Sequence, residues 1–247
     1  MKERSNQNVV SLESIQLDWQ RASNLQLRER FKAFRAIAHD LVVAVNEQEN
    51  SVSTLESYVQ IMQGILSQSR GQADLSRLHS AMANAQRKIC LEILGREPNV
   101  VQKAKKILVT DTANFLIADS MDKESALLLS EVKALECINR GEFFAFNTKA
   151  DGRYLVTVFL VDVPEPILPT RDMSKMDGAL DSAIISCRTG FMHVFGGGSP
   201  GLSISVESGN YRVRTYFRES DVLSFYVVMA KCDEAPENSL MSLSCPF

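Results

Sequence analysis

Asp151-Gly-Arg-Tyr-Leu-Val-Thr-Val-Phe-Leu-Val161 comes back later in the chain as Ser208-Gly-Asn-Tyr-Arg-Val-Arg-Thr-Tyr-Phe217. Both stretches contain Gly-x-Tyr-x-Val. A glycine able to turn the chain, followed by residues alternating between two sides, is the pattern of a turn that releases a half-buried strand. The C-terminal half is therefore expected to be built on these two strands, as an internal repeat.

Working outward, Gly141-Glu-Phe-Phe-Ala-Phe-Asn147 and 151–161 read as a hairpin turning at 149–152. The second copy reads as strands over 189–195, 201–206 and 210–217, and Leu223–Met229 supplies a last strand. Between Lys123 and Ile138 the apolar residues Leu127, Leu128, Val132, Leu135 and Ile138 return to helical spacing. Asp122 is placed to cap that helix and Gly141 to end it. Pro164, Pro166 and Pro169 must leave the sheet, because proline cannot donate to a ladder, and Thr170–Asp181 is expected to link the copies. The expectation is a mostly antiparallel β-sandwich or barrel over 108–232 with one packed helix, and a loosely held tail over 233–247.

Upstream the periodicity is helical. Apolar residues fall at Leu12, Ile15, Trp19 and Ala22, and after a slip near Gln26 at Leu27, Phe31, Phe34, Ala38, Leu41 and Val45. A second seam runs from Leu55 through Val59, Met62 and Leu66, slips near Gly71, and resumes at Leu78, Met82, Ala85 and Ile89. Ser53-Thr-Leu-Glu56 has the form of a capping box between them. These seams predict a long antiparallel, coiled-coil-like helical hairpin over 1–107, with 100–107 continuing as a short helix and leftover apolar flank free to oligomerise or dock a partner. The fold class expected is α+β.

The 247 residues carry 27 Lys and Arg against 30 Asp and Glu, a formal net charge of −3, so nothing draws the whole molecule to phosphate backbones. Lys103-Ala-Lys105-Lys106 is the one basic run and reads as a solvated helix end. The N-terminus lacks the apolar core of a signal peptide and no run is long enough to span a membrane, which gives a cytoplasmic expectation. Five scattered cysteines without a Cys-x-x-Cys pair read as reduced thiols.

Motifs with chemistry are sparse. Gly196-Gly-Gly-Ser-Pro-Gly201 lacks the ending of a P-loop and sits between strands, so it reads as a hairpin loop. Cys187 and His193, taken as one extended strand, would stand about 20 Å apart, beyond nucleophile–base reach. His39 and His79 lack the ligand spacing of a helical metal site. Asp119, Asp122 and Asp151 are the acids able to hold a divalent ion, and they define a second reading as a metal-dependent hydrolase or nuclease-like enzyme. Arg153, Arg212 and Arg214, pointing away from the tyrosines, are the candidate partner-binding residues.

Asp151-Gly-Arg-Tyr-Leu-Val, with Asn114-Phe-Leu-Ile-Ala-Asp119 upstream, resembles small bacterial β proteins of the competence-associated nuclease-inhibitor and toxin-immunity kind, over at most residues 108–231. The resemblance implies inhibition by occupying a partner's surface, without catalysis. The first reading is thus a non-enzymatic protein-interaction module with no cofactor; a purely structural subunit is the third.

Overall fold

A computed structural model describes residues 11–68, 76–119, 129–148, 150–198, 200–219 and 223–240. The chain is α+β, with six helices and two sheets among those residues. The expected slip near Gln26 is a break between separate helices. The first seam divides into α1 (Leu12–Ser23) and α2 (Leu27–Glu47), the second into α3 (Val52–Gln68) and α4 (Ser76–Leu94). The slip at Gly71 lies outside the described residues. Instead of a two-helix arm, the four helices share one core that includes Ile15, Phe34, Leu41, Tyr58, Met62, Leu78 and Ala85. The seams face each other within the chain, while Leu17 of α1 and Ile93 and Leu94 of α4 stay exposed. The start of α3 is also corrected: Ser51, not Ser53, is its cap, its Oγ accepting from the Thr54 N–H at 3.2 Å.

The lysine-rich segment expected to extend the helices is a strand, β1 (Val100–Thr110). It is followed by β2 (Asn114–Ala118), α5 (Glu131–Asn139), β3 (Phe144–Asn147), β4 (Gly152–Val161), α6 (Thr170–Met173), β5 (Gly178–Cys187), β6 (Phe191–Phe195), β7 (Leu202–Ser205), β8 (Gly209–Arg218) and β9 (Ser224–Cys232). Helix α5 starts at Glu131 with Ser130 as its N-cap residue; the Asp122 cap, Leu127 and Leu128 lie outside the described residues. Its end is as expected. Gly141 takes φ 69°, its N–H bonds Ile138 O and that of Glu142 bonds Cys137 O, a Schellman closure.

One sheet runs β1-β4-β9-β8-β5 and the other β3-β2-β6-β7, and neither closes into a barrel. Their facing sides enclose a core of Phe115, Phe146, Tyr154, Val156, Tyr211, Val213, Phe225 and their neighbours. The expected hairpin of 141–147 with 151–161 does not form: β3 pairs β2, β4 pairs β1 and β9, and the chain changes sheets between them.

That crossing shows the repeat to be larger than the sequence suggested. Strands β1 to β4 and β5 to β8 are two units of the same plan. In each, the first and fourth strands pair antiparallel in the five-stranded sheet, and the second and third pair antiparallel in the other. Exchanging the units leaves both strand orders unchanged, with β9 at the middle of the larger sheet. A single strand cannot run the same way relative to two strands that oppose each other, so β9 is parallel to β4 and antiparallel to β8. The turns repeat too. Ala113 and Gly190, each just before its unit's second strand, both have positive φ (52° and 81°). Each accepts a backbone hydrogen bond from the residue after the third strand, Thr148 at 2.7 Å and Val206 at 2.9 Å.

Of the four helices, α4 covers part of the outer face of the larger sheet. Ala83 and Cys90 of α4, with Val163, Ile167 and Leu168 of the proline segment, pack on Phe159, Tyr216, Val228 and Ala230. Polar ties fix the join: Arg87 pairs with Glu97 at 3.1 Å, and Glu97 accepts from the Thr170 N–H at 3.0 Å.

Candidate functional site

Tyr154 and Tyr211 occupy equivalent places. Each ring enters the inner core, and each hydroxyl donates at 2.8 Å to the carbonyl four residues upstream, of Ala150 and of Glu207. The device is a tyrosine corner, tying strand start to preceding turn in both units.

The candidate acids fall apart. Asp151 accepts from the Ala113 N–H at 2.8 Å, and so stitches the turn before β2. Asp119 lies beyond the other end of β2, roughly 20 Å away at ~3.3 Å per residue, and accepts from the Arg188 N–H at 3.2 Å. Asp122 lies outside the described residues. Each visible acid has a structural hydrogen bond at a different end of the sheet, which separates the proposed metal ligands. Among the described residues no group of three or more His, Cys, Asp or Glu could hold a metal ion. His39 is exposed on α2 while His79 is buried on α4.

Cys187 and His193 are not on one strand, as expected, but on β5 and β6 across a turn. The buried Cys187 thiol bonds Phe191 O, and His193 Nδ1 lies 2.7 Å from Ser203 Oγ. Burial pushes the His193 imidazole down, with the Asp119 carboxylate opposing. The glycine run joins β6 to β7, and its composition answers to close backbone approach: a Cβ on Gly196 would stand 2.7 Å from Val109 O and 2.8 Å from the Phe115 ring.

The three arginines also separate. Arg153 is exposed. Arg212 is largely covered and paired with Glu165 and Glu234. Arg214 is 0% exposed beneath α4 and the proline segment, its Nη2 3.4 Å from Ser182 Oγ, and a partner cannot reach it. Alternation correctly sent Arg212 and Arg214 away from the inner core, but it could not tell that the helices cover the outer face there. Glu165 among them is raised by burial, with Arg212 and Arg214 acting against that rise. In register, Arg212 stands level with Val161, eight residues along from Arg153, or roughly 26 Å.

What the arginine reading missed is the rest of the outer face around Arg153. Register places Ile107, Leu155, Ser224 and Arg218 in one row across the sheet, and Lys105, Thr157, Tyr226 and Tyr216 in the next. The helices stop short of much of this area. Ile107 is 53% exposed, Leu155 and Tyr226 are half-buried, and Lys103, Lys105, Arg153 and Arg218 are exposed. The Lys103 ammonium sits 4.8 Å from the Phe159 ring centre. The result is an apolar strip ringed by four cations on a molecule of net negative charge. No alternation announces it, because 100–107 is exposed on both faces of β1.

No helix among the described residues is long and apolar enough to cross a membrane. No protein-family model matches the chain, and no curated protein does. Among solved structures it is similar to ComJ, the inhibitor of the DNA-degrading activity of NucA from Bacillus subtilis, at 11% identity and a TM-score of 0.39, over 55% of this chain and 99% of that one. It is similar also to the crocagin biosynthetic gene J protein, at 14% identity and a TM-score of 0.38, over 51% of this chain and 96% of that one. The first is a nuclease inhibitor, the kind of protein that the motifs at 114–119 and 151–156 resemble, and the chain's likeness to it is of low identity and partial coverage.

Proposed function

We propose that this chain is a non-catalytic protein-interaction module, of the inhibitor or immunity type or a subunit of an assembly, that binds an acidic partner protein. The observation that carries the reading is the open outer face of the larger sheet: Ile107, Leu155 and Tyr226 framed by Lys103, Lys105, Arg153 and Arg218. Exposed apolar surface rimmed by charge of one sign fits a complementary protein surface, the apolar strip contributing affinity and the cations steering and orienting the encounter. With the helical seams mutually buried, binding is assigned to the sheet and not to the helices.

Fluorescent poly-L-glutamate tests this with the full chain. It binds at low salt, and Arg153→Glu with Arg218→Glu weakens it by about tenfold or more, while Arg171→Glu, on α6, leaves it unchanged. Equal binding by the reversed and parent proteins sinks the assignment. Tighter binding of single-stranded DNA than of poly-L-glutamate would replace the acidic protein with a nucleic acid.

A further inference from the structure

The two units differ at their outer edges. Strands β1 and β5 are the edges of the larger sheet and hold equivalent positions, and Ile107 and Ile184 are equivalent residues. Ile107 pairs with Leu155 and Ile184 with Arg212, each the third residue after its unit's motif glycine. The free edge at Ile184 is closed by a carboxamide: Asn238 Oδ1 accepts from the Ile184 N–H at 2.7 Å, and its Nδ2 donates to Ile184 O at 2.8 Å. That is the bonding a residue of a further strand would make. Next along the same edge, Ser186 N–H bonds Gly141 O at 3.2 Å and Ala179 N–H bonds Ser80 Oγ at 3.1 Å.

On β1, Gly198 N–H bonds Val109 O at 3.3 Å, so the odd-numbered residues are those whose backbone groups face the free edge. Below Val109, no strand among the described residues pairs with this edge. Residues 101–103 and 105–107 are exposed. A long open edge is a template for another strand, and lysines are the usual guard against indiscriminate pairing. Two copies meeting edge to edge would bring the lysines of β1 into opposition, which disfavours a second copy of this chain as occupant.

We infer that the free edge of β1, through the backbone of Lys103, Lys105 and Ile107, accepts an extended acidic segment of the partner as an added sixth strand. The inference rests on the reading of the neighbouring face as the docking surface and specifies how the partner engages it. The added strand would supply the bonds to Ile107 that Asn238 supplies to Ile184. Its carboxylates would meet Lys103 and Lys105, whose side chains belong to the open face.

The test uses the full chain and a fluorescein-labelled peptide alternating glutamate with valine and threonine, beside the same peptide N-methylated at every second residue. Expected are binding of the parent peptide, a loss of about tenfold or more on N-methylation, and slowed amide exchange at Lys103, Lys105 and Ile107. Lys105→Pro removes only an edge-facing N–H, which an edge strand tolerates, and should weaken binding more than Lys105→Ala does. Equal binding of the methylated and parent peptides overturns strand addition while leaving the charged face in place as a docking surface. Binding of neither peptide overturns strand addition and, if poly-L-glutamate also fails, the docking face with it. Should Lys105→Pro not fold, the peptide comparison still decides.

Discussion

Strands β1 and β5 begin units of one plan, yet their outer edges and outer faces differ. The second unit is closed along its edge, sealed by Asn238, Gly141 and Ser80, and on its outer face Arg214 and Tyr216 are buried, with Arg218 alone at the end of β8 reaching the open area. The first unit is open at its edge and over much of its outer face. The inner halves, by contrast, agree down to the tyrosine hydroxyls. Residues that make the frame are thus shared by the copies, and residues available to a partner are found where the copies disagree.

The largest test is on the shared frame. Tyr154→Ala and Tyr211→Ala should each destabilise by about 3–5 kcal/mol in chemical denaturation, as truncation of large core aromatics does. Tyr→Phe at either site removes only the corner hydrogen bond and should cost about 1 kcal/mol. Sensitivity in one copy alone would break the equivalence on which the comparison rests.

The outer faces should respond unequally. Arg214→Ala removes a buried cation beside Glu165 and should cost about 3 kcal/mol, the scale for breaking a buried charge set. Arg153→Ala, at an exposed site, should change stability by less than about 0.5 kcal/mol. If the two cost the same, the covered and open halves have been wrongly distinguished.

How far the sequence could foresee this divides along the same line. The Gly-x-Tyr turns, the inner-face alternation of β4 and β8, the Gly141 stop and the helical seams are local patterns, and they are present as read. Strand β1 was misread because Val100-Val-Gln-Lys-Ala-Lys-Lys-Ile107 is exposed on both faces and so shows no alternation to recognise. The start of β5, 178–181, falls in the expected linker and the rest of the strand has no assignment, because its register shifts between Ala179 and Ser182 and interrupts the period of two. The crossing of each unit between sheets and the covering of Arg214 depend on residues far away in sequence. The segment 233–240, expected to be loose, is held by side-chain bonds no pattern announces: besides its bonds to Ile184, Asn238 donates to Ile138 O at 2.7 Å, and Asn139 Oδ1 accepts from the Leu240 N–H at 2.8 Å.

Those bonds give a smaller prediction for the closed edge. Asn238→Ala leaves Ile184 N–H and two carbonyls without these partners and should cost about 2 kcal/mol, with faster amide exchange at Ile184. Exchange at Ile184 that does not change would mean that the edge is sealed by something other than Asn238, and the contrast with β1 would need another cause.

The smallest effect concerns how each unit's first and fourth strands are stitched at their far ends, and pH reads it. In the first unit Asp162, after β4, accepts from the Asn99 N–H at 2.8 Å, from Asn99 Nδ2 at 3.0 Å and from Arg96 at 3.0 Å; in the second, Asp177, before β5, accepts from the Glu219 N–H at 2.6 Å. Partial burial by itself raises the Asp162 carboxyl, but the bonds from Arg96 and Asn99 outweigh it and hold the group down at about 2, against 3.8 ordinarily. A carboxyl depressed by folding binds protons more readily in the unfolded chain, so its stabilisation is present above about 3.8 and fades as pH falls toward 2. Allowing for its partial exposure, the contribution is about 1–2 kcal/mol. Asp162→Asn should therefore lower stability by that amount at neutral pH and by little near pH 2. Urea titrations of both proteins across that range check it, and a constant difference down to pH 2 would show that the stitch owes its strength to shape and hydrogen-bond number, not to the charge on Asp162.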